Sequence, residues 1–295
     1  MSKKRWLVAG GSIAAAVAGL AGPAFAGWDG LNMTKGVTEL SEKIYDLHML
    51  IFEVCLVIAA IVFGAMIYAL VRFRKSKGAV ADTSHVHSTA YEIAWTLLPV
   101  AILIAMAVPA ARALVVIEDT RNSELTIKVT GYQWKWQYDY LDSGVSFFST
   151  LAESSNFARE RGSGIDPNTV ENYLLEVDQH VVIPVDTKVR VLLTANDVIH
   201  AWWVPALGMK KDAIPGFVNE IWIKAHALGT YRGQCAELCG RDHGFMPIVV
   251  DVVSKEDFNH WVEVHKAPAE TVPAAPQAQA APADAAATPT SSTNR

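Results

Sequence analysis

Two cysteines, a histidine and a methionine crowd into the stretch Cys235-Ala-Glu-Leu-Cys239-Gly-Arg-Asp-His243-Gly-Phe-Met246. Paired thiols in an oxidising compartment commonly end as a disulfide. A disulfide has no use for His and Met at set spacing. Structural zinc takes Cys and His without a thioether. Two thiolates, an imidazole and a thioether form a soft donor set that suits copper. One more imidazole should come from elsewhere in the fold. His200 fits, because it closes the strand-like run Leu192-Leu193-Thr194-Ala195-Asn196-Asp197-Val198-Ile199. A single blue-copper site uses one Cys, two His and a weak axial ligand, so the second cysteine is surplus there. It makes sense if both thiolates bridge two copper ions, each with one His and one of them with Met246 as weak axial ligand. One unpaired electron shared by two metals spreads the geometric change on reduction and lowers the barrier to electron transfer.

Such a loop must be held by other elements, and the chain divides into membrane and strand segments. It has 295 residues, is 51% hydrophobic and has a mean hydropathy of +0.21. That is apolar for a soluble protein, so spans are sought first. The net charge of −5 is mild, and no basic stripe suited to nucleic acid is present. Residues 1–26 read as a cleaved signal peptide: Lys3, Lys4 and Arg5, an Ala-rich run, then Ala24-Phe25-Ala26. Spans are expected at about 45–71 and 93–114, each long enough to cross ~30 Å of hydrocarbon. The first carries Glu53, a costly residue in lipid that should face a partner or an interface. It also carries Cys55, which reads as a small buried hydrophobe. Pro99 and Pro109 lie in the second, where neighbouring groups can re-satisfy the backbone. Between them, Arg72-Phe73-Arg74-Lys75-Ser76-Lys77 marks the cytoplasmic side. Both ends, and everything after residue 115, are therefore expected outside, in the periplasm or its equivalent.

From about 123 to 265 the pattern becomes strand-like. Leu125–Thr130, His180–Pro184, Lys188–Leu193, Glu220–Ala225 and Pro247–Val253 read as short strands parted by Gly, Pro, Asn and Asp. Several short strands of this kind imply a mainly β sandwich or barrel. Trp134 and Trp136 alternate with Gln133, Lys135 and Gln137, which puts both on one strand face. Residues 143–170 read as a long surface loop, and 254–265 as a short helix capped by Ser254 with Asp257 three residues on. The Ala/Pro-rich tail 267–295 is expected to be disordered.

Taken together, residues 30–265 resemble subunit II of the haem-copper cytochrome c oxidases, the bacterial aa3 type in particular. Three motifs carry the resemblance: Gly131-Tyr132-Gln133-Trp134-Lys135-Trp136-Gln137-Tyr138, Tyr231-Arg232-Gly233-Gln234-Cys235 through Pro247, and Tyr91-Glu92-Ile93-Ala94-Trp95-Thr96-Leu97-Leu98-Pro99. The resemblance implies a cupredoxin-like β-barrel on a two-helix hairpin in the bacterial inner membrane. It implies a dinuclear copper centre (CuA) held by His200, Cys235, Cys239, His243 and Met246, with the backbone carbonyl of Glu237 as a further ligand. The Glu237 side chain would bind magnesium shared with subunit I. Trp134 would admit electrons from cytochrome c, and Asp139, Asp178 and Asp197 would help to dock it. Glu92 would stand at the mouth of a proton path into subunit I. Haem, oxygen reduction and proton pumping belong to subunit I, with subunit III a further neighbour; this chain carries no visible haem or oxygen site.

One departure stands out. Asp212-Ala213-Ile214-Pro215-Gly216-Phe217 matches a family stretch that usually has Arg after Pro-Gly, so any ionic contact of that Arg is in doubt here. Two rivals remain at this stage. A quinol-oxidase subunit keeps hairpin and barrel but lacks the metal ligands. A membrane-anchored copper carrier would exchange its metal readily.

Overall fold

The computed structural model describes residues 32–80, 83–84 and 87–266. The signal peptide 1–26 and the tail 267–295 lie outside those residues.

Two long helices come first, α1 (Glu39–Arg72) and α2 (Thr89–Ile117). Both are long and apolar enough to cross a membrane, and each contains one expected span. Cys55, expected as a buried hydrophobe, is instead exposed on α1. A single helix pair has too few neighbours to cover every side of its helices. At 34 residues, α1 is about 51 Å long at ~1.5 Å per residue, more than hydrocarbon alone requires. Its N-terminus accounts for part of the excess. Thr38 and Ser41 form a reciprocal capping box, and Leu40 is fully buried. Thr38 Oγ1 donates to the Leu207 carbonyl, and Val37 N–H donates to the Ala206 carbonyl. The first turn of α1 is therefore part of the β domain.

The C-terminal end of α2 is held as firmly. Trp222 Nε1 donates to the Val116 carbonyl. Lys188 Nζ donates to the carbonyls of Asp119 and Arg121, just past the helix end where backbone acceptors lack partners. Both helices thus meet the β domain through backbone-directed bonds, which fixes the domain on one end of the hairpin.

The domain is a sandwich of two five-stranded sheets. One sheet runs β3 (Ser146–Ser149), β2 (Lys135–Tyr140), β1 (Leu125–Tyr132), β5 (Val189–Ala195), β8 (Asn219–Ile223). The other runs β4 (Val181–Pro184), β10 (Pro247–Val253), β9 (Gly229–Cys235), β6 (His200–Val204), β7 (Met209–Ala213). Alternation fills the space between them. In β5, Val189, Val191, Leu193 and Ala195 are buried while Arg190, Leu192 and Thr194 are half-exposed. Burying one large apolar side chain contributes roughly 1.5–3 kcal/mol, so this register is strongly held. The final helix, α4 (Lys255–His265), starts at Ser254, whose Oγ accepts from the Asp257 N–H.

Two further expectations are corrected. The first concerns the tryptophans. Tyr132 pairs with Lys135 across β1 and β2, so Gln133 and Trp134 form the two-residue turn between strands. Trp136 is fully buried on β2, whereas Trp134 is half-exposed at the hairpin tip. They do not share a strand face. The second concerns 143–170, which is not a plain loop. It contains β3 and a short helix, α3 (Glu153–Ala158). Phe147 packs against the core, which gives the segment a reason to order.

Candidate metal centre

Strand pairing brings the donors together. Cys235 is the last residue of β9 and pairs with Trp202 on β6, and the Ala236 N–H donates to the Ala201 carbonyl. That register sets the start of β6, and hence His200, beside the end of β9. After Met246 the chain enters β10, where Pro247 pairs with Gln234. The donor-bearing stretch is thus the β9–β10 connection, fixed at both ends by antiparallel pairing.

The two thiols lie 3.9 Å apart, sulfur to sulfur, and neither is in a disulfide. His200 Nδ1 faces Cys235 Sγ at 4.0 Å. His243 Nδ1 faces Cys239 Sγ at 3.5 Å, and Met246 Sδ faces the same sulfur at 3.5 Å. The carbonyl oxygen of Glu237 lies 3.3 Å from Cys235 Sγ. The donors therefore fall into two sets around a central thiol pair: His200 and the Glu237 carbonyl beside Cys235, His243 and Met246 beside Cys239. His200, Cys235, Cys239 and Met246 are all buried.

The electrostatics favour a cation here. Burial and the charge of Cys235 push the Cys239 thiol up to about 12. Burial also opposes ionisation of Cys235, but its contacts with His200, Ala201 and Glu237 outweigh burial and lower it. Without positive charge between them, two adjacent buried thiols cannot both be thiolates. The residues present fit a metal that supplies such charge.

A ring of other residues sets the donors. Asp197 Oδ1 bonds His200 Nε2 at 2.9 Å, which leaves Nδ1 to face the thiol. Gln133 Nε2 and Trp134 Nε1 both donate to the Cys239 carbonyl, at 2.8 and 3.2 Å. Trp136 Nε1 donates to the Met246 carbonyl at 3.2 Å. Gly131 is required by close approach: a Cβ there would lie 2.8 Å from His200 Cδ2. Sequence reasoning missed these supporting roles of Gly131, Gln133, Trp136 and Asp197. The aromatic motif around Gly131 was the one available signal.

The remaining candidates are dispersed. Asp139 on β2 accepts from Ser146 Oγ at 2.5 Å and lies 3.7 Å from Lys128 Nζ. Asp178 is exposed and accepts from the N–H and Oγ1 of Thr150. The Glu237 side chain is exposed on the loop, as is Leu238. Phe217 is exposed just after the turn at Gly216. Glu92 stands in the first turn of α2, at the other end of the hairpin, 3.6 Å from His87 Nδ1.

Fold and site define a class: a membrane-anchored, cupredoxin-like domain with a buried, soft-donor metal loop. Residues 125–253 match the family described as cytochrome c oxidase subunit II, periplasmic domain, and residues 26–112 match its transmembrane domain. The chain belongs to the cytochrome c oxidase subunit II family, whose copper site its Cys and His cluster matches. Relatives include "Probable cytochrome c oxidase subunit 2" of Rickettsia bellii, 40% identical over 224 residues, 76% of this chain and 79% of that one. Cytochrome c oxidase subunit 2 of Arabidopsis thaliana is 39% identical over 233 residues, covering 79% and 88%. A crystal structure of the periplasmic domain of subunit II of cytochrome oxidase from Bradyrhizobium japonicum is 44% identical. It covers 50% of this chain and 96% of its own, with a TM-score of 0.43.

Proposed function

We propose that this chain is the subunit through which electrons enter a cytochrome c oxidase, and that its loop holds two copper ions. The thiol pair carries this reading: two buried sulfurs 3.9 Å apart, each faced by one imidazole Nδ1. When bound, the copper pair supplies a one-electron store that accepts from cytochrome c and delivers to haem in subunit I. There oxygen is reduced to water and protons are pumped.

The chain's own residues do the holding and orienting. Cys235 and Cys239 would hold the copper pair from the centre, with His200 and the Glu237 carbonyl as donors beside Cys235 and His243 and Met246 as donors beside Cys239. Asp197 fixes the His200 ring. Trp134 admits the electron, since its indole touches the loop through the Cys239 carbonyl and the residue is half-exposed. Asp139, Asp178 and Asp197, at separate places on the domain, are the carboxylates that would meet a basic cytochrome c. The hairpin crosses the bacterial inner membrane with its basic turn inside, so the metal domain is periplasmic. Glu92 then lies on the cytoplasmic side, where it starts a proton path into subunit I.

The exposed Glu237 side chain would be this chain's ligand to a magnesium ion shared with subunit I. Metal analysis of a Glu237→Gln oxidase checks this, and an unchanged magnesium content contradicts it. Copper analysis of the purified oxidase tests the main reading. Two coppers on this subunit, lost in Cys235→Ser, support it; a single copper or zinc ends it.

A further inference from the structure

The two halves of the thiol site are not supported in the same way. On the Cys235 side, His200 is buried and its Nε2 is fixed by Asp197. On the Cys239 side, no side chain among the described residues bonds Nε2 of His243. Within this chain, His243 is carried by the short turn His243–Phe245. That turn is closed by the Phe245 N–H donating to the Asp242 carbonyl at 2.9 Å. Met246, the second donor of this half, follows it directly.

A residue remote in sequence grips this turn at both ends. Arg159 caps the C-terminus of α3, in the segment that links β3 to β4. Its guanidinium lies over Phe245, with Cζ 4.3 Å from the ring centroid. Its Nη1 pairs with Asp242 Oδ1 at 3.7 Å, and its Nε donates to Asn156 Oδ1 at 2.7 Å. Phe245 precedes Met246, and Asp242 precedes His243. Arg159 thus touches the neighbour of each donor without touching either donor. The planar, delocalised head of Arg makes both contacts at once, which a lysine cannot do. Asp242 and Phe245 also line one cleft with Trp134 and Arg159, so the strap closes over the loop beside the proposed electron path.

We propose that Arg159 is a positioning residue for the His243 and Met246 half of the metal site. The segment Glu153–Arg159 is a strap that sets this half, as Asp197 sets the other. The proposal rests on the reading of the loop as a dinuclear copper site. It goes beyond that reading by assigning a function to a segment outside the ligand loop and its strands.

The test uses the purified oxidase with Arg159→Ala and Arg159→Lys in this chain. Loss of copper to a chelator and the copper hyperfine pattern are followed. Arg159→Ala should lose copper faster, by about tenfold at most, because partners bonded directly to a ligand set a scale of roughly 10–100-fold in affinity. Its hyperfine pattern should depart from equal sharing. Arg159→Lys should fall between it and the parent, since the charge remains while the stacked plane is gone. A merely structural role would leave the pattern of the assembled centre unchanged. A parent-like hyperfine pattern in Arg159→Ala overturns the proposal, whatever the rate of copper loss. Should that variant not assemble, Arg159→Lys decides: intermediate behaviour supports the proposal, parent-like behaviour overturns it. Absence of a copper pair in the parent oxidase refutes the reading of the site instead, so the two failures are distinct.

Discussion

The carboxylate of Asp197 joins His200 to the β1–β2 turn: Oδ1 lies 2.9 Å from His200 Nε2, and Oδ2 accepts the Gln133 N–H at 2.7 Å. Burial pushes the Asp197 carboxyl up, but the bonds to His200, Gln133 and Val198 outweigh it and hold the group ionised. Metal-bound imidazoles depend on such a partner for tautomer and ring orientation. Asp197→Ala should therefore weaken copper retention by about tenfold or more. Competition with a chelator measures this, and unchanged affinity would show that the bond to His200 is incidental.

Trp134 and Asp178 should fail in different ways. Trp134 reaches both surface and loop, so Trp134→Phe should lower the rate of reduction by cytochrome c about tenfold, a loss of ~1.4 kcal/mol, at every ionic strength. Asp178 is an exposed carboxylate, so Asp178→Asn should lower the rate mainly at low salt and flatten its salt dependence. Stopped-flow reduction across a salt series separates them. Parallel curves for both variants would remove the distinction between electron path and docking charge.

Glu92 lies in a cleft with Thr89, Ile93, Thr96 and Leu97 at the far end of the hairpin from the thiols. Glu92→Gln keeps the shape and removes the exchangeable proton. Steady-state oxygen consumption should slow on the order of tenfold while the copper spectrum stays the same. Normal turnover would sink the proton-path role; a changed copper spectrum would point to misassembly.

A second network makes stability depend on pH. His180 bonds Asp251 through Nδ1 and Glu176 through Nε2, both at 2.8 Å, and Arg232 bonds Glu176 at 2.6 Å. The bond to Asp251 leads in raising His180 above its ordinary 6.5, against the effect of burial. Burial pushes both carboxyls up, but Arg232 and His180 win and hold Glu176 below 4.5 and Asp251 below 3.8. A raised imidazole stabilises fully below 6.5 and loses its contribution as pH climbs through the folded value. Lowered carboxylates contribute fully above 4.5 and lose their effect as pH falls through their folded values. The network is therefore strongest between pH 4.5 and 6.5. His180→Asn should cost roughly 1 kcal/mol there and less at alkaline pH. Melting curves against pH check it, and a deficit that grows with rising pH contradicts it.

Much of this was legible in the sequence. Four of the five side-chain donors are contiguous, and their spacing survives as geometry because β9 and β10 pin the loop at both ends. The two long apolar helices and the α4 cap depend on local composition, and the helices contain the expected spans while the cap falls at Ser254. What sequence reasoning missed is long-range. Gln133 meets Asp197 across 64 positions and Cys239 across 106, and only the sheet register makes them neighbours. Trp134 was misplaced for a related reason: period-two alternation runs unbroken through a two-residue turn. The strap that holds Arg159 has no periodicity at all, so its helix and its grip on Phe245 appear only in three dimensions.

The central claim is that Cys235 and Cys239 bridge two copper ions that share one electron. Electron paramagnetic resonance of the oxidised subunit, purified within its oxidase, tests it most directly. A seven-line copper hyperfine pattern, from one electron shared equally over two coppers, is the predicted result. A four-line pattern from a single copper, or no copper signal at all, would contradict it.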